Sequence, residues 1–325
     1  METWIAAILG SALRTSIHEN GFIRSSLGVC ILALFCCALW GSAFSVIKIG
    51  YELFGVGSGD SASQILFAGC RFTLAGMLVI AFESIRSRSF IRPKRFSFSK
   101  VLILALFQTI LQYISFYVGL AHTAGVKASI INGTSNVFAI LLAVYPFRIE
   151  KLSFLKSLGC AFGLCGLIIV NLQGLQFDLS FSFMGEGLMI MTAVAAAVST
   201  VLIRIFSESE NPVVLSGYQF FTGGIVLILM GIVMGGSLHP ASASAYLILF
   251  YLALVSSVAY SLWGILLKYN PVSKVTVYGF MTPVFGVILA ALLLGEYDQL
   301  NILCLIALAL VCLGIILTNK ANADE

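Results

Sequence analysis

Ten apolar runs, each about the length of one bilayer crossing, occupy most of this chain: Leu27–Tyr51, Gln64–Ile85, Lys100–Ala121, Val126–Phe147 and Leu152–Leu172, then Met184–Phe206, Pro212–Gly235, Ala245–Leu267, Val272–Leu294 and Gln299–Thr318. At about 1.5 Å of rise per residue, some 20 helical residues cross a hydrocarbon core roughly 30 Å thick. The runs lack the apolar–polar alternation of barrel strands, so the sequence predicts helices. Charge points the same way. Only 10% of the 325 residues are Asp, Glu, Lys or Arg, against 60% hydrophobic; a soluble domain uses about 25% charged residues to meet water. The predicted fold class is all-α, a polytopic membrane protein of ten transmembrane helices with no connection long enough to hide a soluble domain. Eight cysteines (Cys30, Cys36, Cys37, Cys70, Cys160, Cys165, Cys304 and Cys312) fall inside apolar runs without C-x-x-C spacing. They read as small packing residues, with neither a metal site nor a disulfide framework.

Lys and Arg stay on the cytoplasmic side of short loops. With the N-terminus inside, fifteen of the eighteen fall on inside segments, among them Arg86, Arg88, Arg92, Lys94, Arg95, Lys100, Arg204 and Lys274. Lys48 and Lys127 mark outside boundaries, Arg71 lies within a helix, and outside loops hold Glu52, Asp60, Asp178, Glu296 and Asp298. Both termini are accordingly expected in the cytoplasm, in a protein of the plasma (inner) membrane. The net charge of +4 then reports topology and implies no nucleic-acid partner. The basic run from Arg86 to Arg95 reads as a solvated inside loop, with anionic headgroups the other candidate contact. Trp4–Leu13 is too short to span and follows Glu2, unlike a signal peptide. An interfacial or disordered segment is expected there.

The two halves resemble each other. Leu120-Ala-His-Thr-Ala-Gly-Val-Lys127 sits 147 residues before Leu267-Lys-Tyr-Asn-Pro-Val-Ser-Lys274, and at the same offset Val137-Phe138 matches Val284-Phe285. Leu164-Cys-Gly-Leu-Ile-Ile-Val-Asn171 echoes Cys312-Leu-Gly-Ile-Ile-Leu-Thr-Asn319, and Lys48 and Arg204 close the first helix of each half. Five helices is an odd number, so a duplicated half enters the membrane from the opposite side. The expectation is two inverted five-helix repeats, 27–172 and 184–318, after an N-terminal segment 1–26, joined by an outside linker 173–183 and ending in a tail 319–325. Transporters built this way place their substrate near the midplane between repeats.

Several residues carry a family resemblance: Leu39-Trp-Gly-Ser-Ala-Phe44, Arg71-Phe72, Gly119-Leu120 with Ala124-Gly-Val-Lys-Ala-Ser129, Thr282-Pro283, Leu294-Gly-Glu296 and Gly314. Over roughly residues 28–320 the chain resembles the drug/metabolite transporter superfamily, in its EamA-like branch of ten-helix permeases. Two positions depart from that pattern. Asn136 stands where the first repeat usually has proline, and Ile149-Glu150 replaces the usual Gly-Glu. The resemblance implies secondary transport, frequently export, of amino acids or other small metabolites. Drug efflux and a nucleotide-sugar-type carrier are the alternatives within transport, and a non-transporting membrane sensor is the alternative outside it.

Polar residues inside a bilayer are costly and face the bundle interior. Gln108, Gln112 and Ser115 share one face of helix three, and Ser129, Asn132 and Asn136 one face of helix four. Trp40 on helix one, Tyr218, Gln219 and Thr222 on helix seven, and Ser256 or Ser257, Tyr260 and Trp263 on helix eight add amides, hydroxyls and rings. Helix nine offers Thr276, Gly279, Thr282 and Gly286. Together they predict a central cavity that takes a small-molecule substrate. Pro283 removes the hydrogen bond to the Gly279 carbonyl, which makes Gly279 and Pro283 the candidate gate. Gly159, Gly163 and Gly166, and likewise Gly231 and Gly235, read as close-packing positions. Arg71 reads as a cap for backbone carbonyls, with a substrate carboxylate as its other candidate partner. No carboxylate lies at mid-membrane, so any proton coupling would run through His122, with uniport as the alternative. There is no H-E-x-x-H, Walker A loop or buried Ser–His pair, so no enzyme, catalytic residue, metal or cofactor is expected.

Overall fold

A computed structural model of the chain describes residues 21–94, 97–123, 125–171, 181–295 and 301–323. The N-terminal Trp4–Leu13 stretch, Arg95, most of the linker, Glu296 and Asp298 lie outside them. The described helices are α1 (Ser26–Leu53), α2 (Ser61–Ser87), α3 (Phe98–Ala121), α4 (Gly125–Gly133 and Ser135–Val144), α5 (Phe154–Val170), α6 (Phe183–Phe206), α7 (Pro212–Val233), α8 (Ala243–Tyr269), α9 (Val272–Thr276, Val277–Phe280 and Met281–Leu294) and α10 (Ile302–Ala323). Among the described residues nine are long and apolar enough to cross a membrane, and α5, at 17 residues, is the shorter tenth. Their ends follow local chemistry. Asp60, Ser153 and Asn211 accept hydrogen bonds from the backbone N–H of Ser63, Lys156 and Val213, satisfying first-turn donors of α2, α5 and α7.

The helices alternate in direction between two faces. On the near face, where α1 begins, Asn270 Nδ2 donates to the Ile23 carbonyl at 3.0 Å and Ser273 Oγ to Asn322 Oδ1 at 3.1 Å. Lys94 of the basic loop meets Glu210 at 3.8 Å and donates to the Ser209 carbonyl at 2.9 Å. On the far face, the backbone N–H groups of His239 and Ala241 donate to the carbonyls of Phe54 and Leu53. Glu186 there accepts from Thr123 Oγ1 at 2.6 Å and from the Ser182 N–H at 2.8 Å, and pairs with Lys127 at 3.4 Å.

Packing follows an exchange of halves. α1 lies against α8 and α9, while α6 lies against α3 and α4; α2 pairs with α7, and α5 with α10. Both self-paired contacts are made on glycine, because only its missing side chain lets two helix backbones approach this closely. Gly69 and Gly76 of α2 seat the α7 backbone at Ile228 and Phe221, and Gly217, Gly224 and Gly231 of α7 seat Val79, Thr73 and Leu66 of α2, each series spaced by seven residues. A Cβ on Gly69 would fall 2.5 Å from the Ile228 nitrogen, and one on Gly231 2.7 Å from the Leu66 nitrogen. In α5, a Cβ on Gly159 would come 2.7 Å from the Gly314 carbonyl oxygen and one on Gly166 2.8 Å from that of Ala307, while Gly163 admits the Phe280 ring. Gly235 differs from the expectation: nothing lies near it, and its φ of +88° ends α7 in a left-handed turn.

All eight cysteines are free thiols. Two do more than pack: Cys36 Sγ lies 3.5 Å from the Ala259 carbonyl and Cys37 Sγ 3.2 Å from that of Tyr278.

Candidate functional site

Between the halves lies a cavity of about 410 Å³, with walls from α1, α2, α3, α4, α5, α6, α8 and α9. Its lining runs from Trp263, Gly279, Ser199 and Thr200 near mid-depth to Lys48, Tyr51 and Leu120 close to the far-face ends of α1 and α3. The near face is closed below it. Glu150, just after α4, accepts from the backbone N–H groups of Val272 and Ser273 at the start of α9. The same carboxylate lies 3.9 Å from Nζ of the fully buried Lys156, which also donates to the Lys151 carbonyl at 3.1 Å. One side chain of the first half thus holds the first turn of a second-half helix, where exposed N–H groups and the helix dipole favour an anion.

Ten of the twelve residues expected at the site line this cavity: Trp40, Gln108, Gln112, Asn132, Asn136, Tyr260, Trp263 and Thr282, with Gly279 and Pro283 of the candidate gate. Tyr218 and Gln219 do not reach it. The Tyr218 hydroxyl donates to the Ile91 carbonyl at 2.8 Å, in the near-face loop after α2. Gln219 is fully buried, its Oε1 accepting from Thr109 Oγ1 at 2.6 Å between α7 and α3. Their polarity serves a loop carbonyl and a helix–helix contact, which sequence spacing alone does not distinguish from a cavity stripe. His122 is exposed at the far face, its Nδ1 2.8 Å from the Val118 carbonyl, and it too stands apart.

Ser115 is also turned away, for a local reason. Residues Ala105–Leu111 form a π-helix, which advances the register of α3 by about one residue. Gln108 and Gln112 keep the cavity face, but Phe116 takes the position that regular α spacing assigns to Ser115, and the rings of Tyr113 and Tyr117 flank it. These rings were legible as residues but not as cavity wall, because the register shift is invisible in the pattern.

The lining obeys the internal repeat. At the 147-residue offset Tyr113 corresponds to Tyr260, and their hydroxyls meet at 3.1 Å. The same offset relates Phe116 to Trp263, Asn132 to Gly279, Ser135 to Thr282 and Asn136 to Pro283, all of them in the wall. An offset of 156 relates Ala43 and Phe44 on α1 to Ser199 and Thr200 on α6. At mid-depth Trp40 sits edge-on to Tyr260 and Trp263, with ring centroids 5.1 and 5.0 Å apart.

Both candidate gating helices are broken at this level. In α9 a 3-10 turn, Val277–Phe280, precedes Pro283, whose missing N–H leaves the Gly279 carbonyl without its usual partner. In α4 the break is at Thr134, and Asn136 Nδ2 donates to the Gly133 carbonyl at 3.3 Å. Asn136 therefore does with an amide what proline does in the other half: it accompanies an interrupted helix. A Cβ on Gly279 would collide with the Asn136 amide, so the two breaks are in contact.

Similarity to known proteins fits this arrangement. The sequence matches the EamA-like transporter family twice, over residues 27–172 and 183–320. It is 27% identical over 282 residues to a probable amino-acid metabolite efflux pump of Escherichia coli K12, covering 82% of this chain and 87% of that protein. It is 27% identical over 263 residues to the uncharacterized inner membrane transporter YedA of the same strain, covering 79% and 80%. A solved crystal structure superposes with a TM-score of 0.74 at 18% identity, over 92% of this chain and 99% of that one, a likeness of fold. Two family matches, ten helices and a cavity between the halves lead to one conclusion: the chain belongs to the EamA-like transporter family of the drug/metabolite transporter superfamily, and is a membrane transporter, not an enzyme.

Proposed function

We propose that the chain is a secondary exporter of small metabolites, with amino acids and their relatives as the first class to test. It works by alternating access between two inverted repeats, 27–172 and 184–318, in an inner or plasma membrane with both termini cytoplasmic. The observation that carries this reading is the cavity itself, walled by equivalent residues of both halves and lined out to Lys48, Tyr51 and Leu120 towards the far face. In the proposed orientation the near face is cytoplasmic, because it gathers Arg86, Lys94, Lys100, Lys156, Arg204, Lys268 and Lys274 at helix ends. The described conformation is then outward-open, with Glu150 on the start of α9 as the inner closure. Rocking of α4 and α9 about their breaks near Thr134 and Gly279–Pro283 would close the far side and open the near one. Protons are the candidate coupling ion. The amino-acid class takes its support from the efflux pump named above and from the amides and hydroxyls of the wall.

The test is flux. Asn132→Leu and Tyr260→Phe each remove polar contacts from the wall. Each is expected to lower kcat/KM about ten-fold, as one or two lost bonds of roughly 1 kcal/mol would. Both proteins should still insert and elute as folded species. Unchanged flux in both variants would place translocation elsewhere.

A further inference from the structure

Resting on that transport reading, and narrowing it from zwitterionic amino acids to their anionic relatives, we infer that the cargo is a net-anionic organic acid with a flat aromatic or conjugated body, its carboxylate seated on Arg71. Charge is the first ground. Among the described residues, the cavity wall contains two basic side chains, Lys48 and Arg71, and no Asp or Glu. An amine or a multiply charged cation would meet only neutral acceptors and a positive field, whereas a carboxylate is drawn in.

The state of Arg71 is the second ground. It lies mid-way along α2 and is 3% exposed. Its Nε donates to Ser256 Oγ at 2.9 Å and to the Leu252 carbonyl at 3.3 Å, both neutral and both on α8. Its guanidinium carbon lies 5.1 Å from the Phe72 ring centre. Among the described residues no carboxylate stands within ion-pair distance, and its terminal nitrogens hold no hydrogen bond. A buried guanidinium without a counterion is costly in an apolar medium. With Nε occupied by α8, the remaining nitrogens form a fork suited to two carboxylate oxygens. The carbonyl-capping role expected from the sequence is therefore present, and it leaves the fork for a ligand.

A neutral donor is the third ground. Trp40 Nε1 belongs to the wall, is buried and has no hydrogen-bond partner among the described residues. An indole N–H only donates, so an anion or carbonyl is what satisfies it. The tilted rings of Trp40, Tyr260 and Trp263 offer faces and edges to a planar body.

The experiment is a charge ladder on one carbon skeleton: 3-phenylpropionate, 3-phenylpropionamide, phenylalanine and 3-phenylpropylamine. Binding to the purified full-length protein is read by quenching of tryptophan fluorescence, and transport by counterflow in proteoliposomes. The acid is expected to bind about ten-fold or more tightly than the amide, and the amine least. Arg71→Lys should keep the acid preference and Arg71→Gln should level acid and amide. The wild-type ladder alone decides the matter if Arg71→Gln does not fold. Preference for the amine or the zwitterion overturns the anionic class and leaves transport standing. Exchange of aliphatic amino acids without binding of any aromatic probe does the same. No exchange of any solute brings down the transport reading and this inference with it.

Discussion

Gly224→Leu is expected to eliminate the folded protein: after detergent extraction it should elute as aggregate where the native chain elutes as one symmetrical species. The reason lies in the close backbone contact between α2 and α7. A Cβ at position 224 would fall on the backbone nitrogen of Thr73 and 2.9 Å from its Cα, atoms that no rotamer change can move aside. A leucine adds three further carbons. The neighbours one heptad away, Gly217 and Gly231, seat Val79 and Leu66 in the same way, so relief by sliding or tilting α7 breaks those contacts too. Even Gly224→Ala should cost about 1–3 kcal/mol as overpacking. Gly59 is the control. It has open space around it and no positive φ, so Gly59→Ala should change stability by less than about 0.5 kcal/mol. Equal behaviour of the 224 and 59 variants would mean that α2 and α7 are not packed as described.

Glu150→Ala comes next in size, and it acts on two things at once. It leaves Lys156, whose side chain is fully buried, without the carboxylate 3.9 Å away, and it strips the Val272 and Ser273 N–H groups of their acceptor. Breaking a buried pair from one side costs about 3–5 kcal/mol, because the remaining charge stays buried. Glu150→Ala with Lys156→Met should recover much of that loss, since the orphaned charge goes with it. The α9 contact stays broken in the double variant, so the near face should open more often even where stability returns. A cysteine placed at Ser273 should then react faster with a membrane-impermeant thiol reagent added to the near side. Equal stability of the single and double variants, with unchanged labelling, would show that Glu150 closes nothing.

These contacts also show what the residue pattern could and could not convey. Helix number, inverted duplication and most of the cavity wall follow from hydropathy, from the 147-residue echo and from polar residues spaced on a helix. Tyr218 and Gln219 on α7 form a polar stripe like that of Tyr260 on α8, yet they serve the Ile91 carbonyl and Thr109, because a stripe tells which face is buried and not what it is buried against. Ser115 was misplaced by a π turn whose register shift leaves no mark in composition. The meeting of Tyr113 and Tyr260 needed both the repeat and a symmetry axis between the halves. The repeat was legible; the position of the axis is a property of packing. The seven-residue glycine series of α2 and α7 were in plain view, but a glycine becomes a contact only when its partner helix is known.

The central claim is that the cavity between the repeats is the translocation site, and solute counterflow tests it most directly. Proteoliposomes holding the purified protein are loaded with unlabelled amino acid or organic acid and exposed to a trace of the labelled solute, with and without an imposed proton gradient. The account predicts saturable, trans-stimulated accumulation of at least one solute by the native protein. It also predicts about ten-fold weaker accumulation by folded Asn132→Leu and Tyr260→Phe proteins. Accumulation that is equal in native and cavity variants, or absent for every solute in a panel spanning acids, zwitterions, amines and neutral metabolites, would contradict it.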